Sequence, residues 1–139
     1  MNGLVALAPM MSYTASKYAL EAATEVLAME LQDFGVRVAL IEPGVVMTPI
    51  FEKLSGSVPD MNSPYGKFYS ALGRVTARNL ESAAMPESIA RAMQNAVETS
   101  EPRLRYVVGH DANKMVEELK ERGQELYHEV DHAQVGLVG

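Results

Sequence analysis

At 139 residues the chain has room for one domain, and its 47% hydrophobic content supports a packed core and argues against a disordered chain. Eighteen acidic against twelve basic residues give a net charge of −6, which disfavours nucleic acid and anionic membrane surfaces as partners. There is no cysteine for disulfide or thiol chemistry, no basic leader, and no apolar run of the ~18 residues that span a membrane, so the expected setting is cytoplasmic.

Residues 13–34 read as one helix. The run is rich in Ala, Leu, Glu and Met, and apolar residues recur at Ala19, Leu20, Ala23, Val26, Leu27, Met29 and Leu31. Gly35 is the expected stop. Residues 36–41 are short, apolar and β-branched, which predicts a buried strand of a parallel sheet. Glu42-Pro43-Gly44 ends it, because Pro cannot continue a central strand. Helix, glycine, apolar strand and Pro-Gly turn make half of a doubly wound α/β unit. Ligands bind beyond the carboxyl ends of the strands in such sheets, so 43–48 fall on the ligand side.

Residues 47–85 are the least regular, with turn clusters at 55–60 and 62–66. Their apolar side chains suit either a cover over a substrate or a connection packed on the core. Pro86 and Glu87 open a helix over 86–99, with Ile89, Ala90, Met93, Ala96 and Val97 on one face. A second strand is expected over 104–108 and a charged terminal helix over 111–129. Two strands make a small sheet, and the outer edge of 36–41 is expected to stay open to another chain.

Tyr13 and Lys17 lie four residues apart, one helical turn, and so project from one face. An ammonium beside a phenol favours the phenolate and makes Tyr usable in general acid–base chemistry near neutral pH. The same pair also fits a plain amphipathic helix with a half-buried Tyr and a solvated Lys.

Tyr13-x-x-x-Lys17 on a helix, then Gly35-Val36-Arg37-Val38 into a strand, then Pro43-Gly44-Val45-Val46-Met47-Thr48, resembles the short-chain dehydrogenase/reductase family in order and spacing over roughly residues 3–55. The resemblance implies a Rossmann-like sheet, a nicotinamide cofactor (NAD or NADP) and a small alcohol or carbonyl substrate. It implies that Tyr13 exchanges a proton with the substrate oxygen and that Lys17 bonds the nicotinamide ribose. It implies that Pro43 and Gly44 shape the turn beside the nicotinamide, that Val46 offers its backbone to the carboxamide, and that Thr48 offers its hydroxyl to the carboxamide or diphosphate. Segment 47–85 would then cover the substrate.

The family's glycine-rich pyrophosphate turn has no counterpart here, since the glycines are scattered. The family's catalytic Ser, about a dozen residues before its Tyr, falls at or before Met1; Ser12 and Ser16 are too close to Tyr13 to replace it. The chain is therefore expected to be the C-terminal portion of such a fold, without the N-terminal nucleotide-binding half and with apolar surface left uncovered.

Two other functions fit parts of the sequence. Ala15, Ala19, Ala22 and Ala23 permit close helix approach, and the family pairs subunits through this helix, so the chain suits a homo-oligomer or a non-catalytic module docked on a relative. His128-Glu129-Val130-Asp131-His132 matches the His-Glu-x-x-His pattern of zinc hydrolases. A catalytic zinc needs a third protein ligand, and the seven residues after His132 supply no good one. No metal is expected.

Overall fold

The computed structural model describes residues 3–50, 53 and 59–121. Helix α1 (Met11–Leu31) is followed by a short 3₁₀ turn (Gln32–Phe34), strand β1 (Leu40–Pro43), helix α2 (Gly66–Leu80), helix α3 (Pro86–Glu98) and strand β2 (Arg105–Val108). A further helix, α4, begins at residue 110 and is described to 121.

Helix α1 starts two residues before the expected position 13 and ends in a glycine-based cap. Gly35 sits in the left-handed region (φ 69°) and donates to the Gln32 carbonyl at 3.1 Å, while the Val36 N–H reaches the Leu31 carbonyl at 3.4 Å. These are the two bonds of a Schellman motif, which satisfies carbonyls that the helix end would otherwise leave bare.

The sheet is a parallel pair, β1–β2, with Leu40 opposite Arg105 and Pro43 opposite Val108. The expected strand over 36–41 is corrected to Leu40–Pro43. Its ladder begins where β2 arrives, with the Leu40 N–H on the Leu104 carbonyl at 2.6 Å. Residues 36–39 precede that partner. Arg37 instead turns to the end of α3, donating to the carbonyls of Val97 and Thr99 at 2.9 and 2.8 Å. Leu40 and Gly44 direct their N–H groups at β2, so alternation turns Pro43, which lacks a donor, towards the open edge.

The irregular reading of 47–85 is also corrected, because α2 occupies Gly66–Leu80. Phe68, Ala71, Leu72 and Val75 follow a helical period that the preceding turn clusters obscure. Gly66 is required at the start of α2, where a Cβ would stand 2.0 Å from the Met61 carbonyl oxygen. Beyond the strand, Val46 makes an isolated parallel bridge with Ala84.

Helix α3 packs on both strands. It opens on Pro86 with Glu87 in its first turn, where a missing N–H costs nothing and a carboxylate meets the positive helix end. The buried apolar residues among those described are Val5, Leu40, Ala71, Tyr106 and Ala112. Much apolar surface on α1 is open, as expected, with Leu20, Val26, Leu27 and Met29 exposed; the described residues supply two strands to cover it.

Candidate active site

Tyr13 lies in the first turn of α1, with Lys17 one turn further on. The Lys17 Nζ stands 5.4 Å from the centre of the Tyr13 ring, within the range of a cation–π contact. Tyr13 is about half exposed, at 48%, and its hydroxyl has no hydrogen-bond partner among the described residues. Ser16 is spent on the helix, its hydroxyl donating to the Tyr13 carbonyl at 2.6 Å. Burial pushes the hydroxyl of Tyr18, the next tyrosine along α1, above its ordinary pKa. Tyr18 is therefore the poorer candidate for proton exchange.

The second group of predicted residues lies beyond the carboxyl end of β1. Pro43 ends the strand and Gly44 donates to the Val108 carbonyl at 2.9 Å, which extends the ladder by one bond. The Ala84 N–H bonds the Val45 carbonyl and the Met47 N–H bonds the Ala84 carbonyl, both at 2.9 Å. These bonds flank Val46, so its own N–H and C=O face the opposite side. Neither has a partner among the described residues. A free donor and acceptor on one residue match an amide group. Thr48 follows, partly buried.

Asp111 closes this turn and was not singled out from the sequence. Its Oδ2 accepts the Val45 N–H at 2.7 Å. A Cβ on Gly44 would stand 1.9 Å from Asp111 Oδ1, and one on Gly109 would stand 2.9 Å from it. The signal was an acid in the first turn of a helix directly after a strand and a glycine.

The two groups share a link at one remove. Arg105, at the head of β2, pairs with Glu21 of α1 at 3.1 Å, with Glu25 of α1, and with Glu42 of β1 at 3.0 Å. Glu21 is one turn beyond Lys17, and Glu42 directly precedes Pro43. The helix carrying Tyr13 and the strand carrying the Pro-Gly turn are thus held by one guanidinium. Hydrogen bonding to Glu25, above all, raises the Arg105 pKa further and keeps the group charged.

His128, Glu129 and His132 lie outside the described residues. Among the described residues no three His, Cys, Asp or Glu side chains are grouped to hold a metal. His110 starts α4.

A parallel α/β sheet with a turn off its carboxyl end and a Tyr–Lys pair on a neighbouring helix defines a Rossmann-like class. The short chain dehydrogenase family pattern matches residues 1–58. A short-chain dehydrogenase from Streptomyces avermitilis superimposes with a TM-score of 0.69 at 25% identity, over 99% of this chain and 49% of that one. The NADPH-dependent 3-dehydrocapnine reductase of Ornithobacterium rhinotracheale is 37% identical over 69% of this chain and 34% of its own length. The uncharacterized oxidoreductase YusZ of Bacillus subtilis is 37% identical over 78% of this chain and 39% of its own. Human 17-beta-hydroxysteroid dehydrogenase type 1 is 37% identical over 68% of this chain and 30% of its own. The chain belongs to the short-chain dehydrogenase/reductase family, whose cofactors are NAD and NADP. It spans 30% to 39% of the length of these curated relatives.

No described helix is long and apolar enough to cross a membrane.

Proposed function

We propose that this chain carries the catalytic portion of a NAD(P)-dependent oxidoreductase that interconverts a small-molecule alcohol and a carbonyl in the cytoplasm. The observation that carries the reading is the Lys17 ammonium stacked at 5.4 Å on a half-exposed Tyr13 whose hydroxyl is unengaged among the described residues. A tyrosine with nothing to bond and a cation at its ring is available to a ligand.

The residues present fit a nicotinamide. Val46 offers an N–H and C=O that are unpaired among the described residues, the complement of a carboxamide, and Thr48 adds a hydroxyl next to it. Lys17 supplies up to three donors for ribose hydroxyls. When bound, the nicotinamide supplies or accepts a hydride. Tyr13 gives its hydroxyl proton to a carbonyl oxygen in reduction and takes one from an alcohol in oxidation. Lys17 supports the anionic side of that exchange through its charge. Pro43 and Gly44 set the direction of the turn, and the segment over 47–85 covers the substrate.

Fluorescence titration of the chain with NADH and with NADPH tests this reading. Micromolar binding of either supports a formed half-site. No binding at millimolar cofactor removes the oxidoreductase reading for this chain.

Open apolar surface on α1 favours a second reading, in which the chain docks on a second copy or a related chain. Leu20, Leu27 and Met29 are 53%, 44% and 67% exposed. Sedimentation would then give a mass above that of one chain. In Leu27→Glu the mass would fall to that of one chain.

A further inference from the structure

We infer that Asp111 is a positioning residue for the nicotinamide side of the site, fixing the turn after β1 so that Val46 presents its free backbone pair to an amide-bearing ligand. The inference rests on the oxidoreductase reading above.

Strands β1 and β2 each end in a glycine, Gly44 and Gly109. The Asp111 carboxyl fills the space that both leave, since a Cβ on either would meet Oδ1 at 1.9 or 2.9 Å. Gly109 also needs its freedom for a φ of 107°. Gly44 has no positive φ. The requirement for glycine there comes from the approach of Asp111 and not from its own dihedral angles. The other carboxylate oxygen, Oδ2, accepts the Val45 N–H at 2.7 Å, a short, charge-assisted bond.

That bond acts on Val46 through one peptide. The Val45 N–H is held by Asp111, while the Val45 carbonyl and the Met47 N–H are held by Ala84. The backbone on both sides of Val46 is tied, while the Val46 N–H and C=O themselves have no partner among the described residues. Oδ1 is buried without a hydrogen-bond partner among those residues. Leaving a buried carboxylate oxygen unbonded opposes folding, so stability alone does not account for Asp111. A role in presenting Val46 does.

Three variants of the full chain test this: Asp111→Ala, Asp111→Asn and Gly44→Ala, with the Gly44→Ala/Asp111→Ala double variant. Two quantities are measured in each, the amide exchange rate of Val45 by NMR and the Kd for NADH and NADPH. Asp111→Ala should speed Val45 exchange and weaken dinucleotide binding, each by about tenfold. Asp111→Asn keeps an acceptor and should restore both to within about threefold. A residue that merely supports folding would show Asn and Ala alike. Gly44→Ala should reproduce Asp111→Ala by displacing the carboxyl, and the double variant should be no worse than Gly44→Ala alone. Additive losses in the double variant would mean independent roles and overturn the inference. So would an Asp111→Ala protein that binds as tightly as wild type. If wild type binds neither dinucleotide, the oxidoreductase reading fails, and the ligand side of this inference fails with it. Should Asp111→Ala not fold, wild-type and Asp111→Asn affinities decide, and a loss in Asn as large as about tenfold overturns the inference.

Discussion

Arg105 Nε lies 3.0 Å from Oε1 of Glu42, on the neighbouring strand, and Glu42 is only 2% exposed. The separation is that of an ion pair, yet neither Glu42 oxygen accepts a well-aligned hydrogen bond. The same guanidinium serves Glu21 and Glu25, so one cation faces three carboxylates where α1 meets the sheet. The Glu21 carboxylate at the same guanidinium adds a like charge that disfavours the ionised form of Glu42. The cluster therefore does mechanical work, holding the Tyr13 helix beside the Pro43-Gly44 strand, at an electrostatic cost.

Arg105→Met, which keeps the aliphatic stem and deletes the charge, should destabilise the chain by about 2–3 kcal/mol. The value falls below that of a fully buried pair, roughly 3–5 kcal/mol, because the guanidinium is about a third exposed and its partner Glu25 about half. Urea unfolding followed by circular dichroism measures it. A midpoint unchanged from wild type would show that the cluster contributes no net order.

The acid response has a defined sign. Burial, first, and then the Glu21 carboxylate hold Glu42 above the usual carboxylate range, with Arg105 opposing them only in part. The folded chain thus keeps a proton that the unfolded chain has released. Stability linked to Glu42 is fully present below the unfolded value and declines as pH rises through the raised folded value. Urea midpoints should fall as pH rises above the ordinary carboxylate range. Glu42→Gln cannot ionise and should flatten that slope. An equally steep slope in Glu42→Gln would place the titration elsewhere.

Gly35 and Gly44 separate two reasons for glycine. Nothing lies within 4 Å of a Cβ built on Gly35, but its φ is 69°. Gly35→Ala should therefore cost only the left-handed backbone penalty, about 1 kcal/mol. Gly35→Asn should cost less, since Asn tolerates that region better. Thermal unfolding of the two variants checks the order, and Asn falling below Ala would contradict it.

Local signals carried much of this architecture. Ala, Leu, Glu and Met over 13–34, Gly35 after them and Pro86 before the next helix each act within a few residues, and each marks a helix or its end. The Tyr13–Lys17 contact is equally local, one turn of α1. What the sequence hid depends on distant partners. Residues 36–39 look like a strand by composition, but β2 reaches only to Leu40. Helix α2 lay behind turn clusters that drew attention from the period of Phe68, Ala71, Leu72 and Val75. The Asp111–Val45 bond joins residues 66 apart, and no periodicity encodes it. The Glu42–Arg105 pair has a local trace, a single acid in β1 and a single base in β2, but their pairing depends on the strand register.

Tyr13→Phe tests the chemistry most directly, because the structure assigns the hydroxyl no other task. Tyr13 is half exposed, and its oxygen bonds nothing among the described residues. Deleting that oxygen should leave stability within about 0.5 kcal/mol. The ring stays, so the cation–π contact with Lys17 persists in weaker or equal form. Dinucleotide affinity should then hold near wild type, while turnover of a carbonyl substrate with NADPH or NADH should drop by at least about 100-fold, the usual contribution of a positioned proton donor. Lys17→Met should behave differently, weakening dinucleotide binding and turnover together, because in the proposed function its ammonium serves both the ribose and the phenol. Equal turnover in Tyr13→Phe and wild type would sink the assignment of Tyr13.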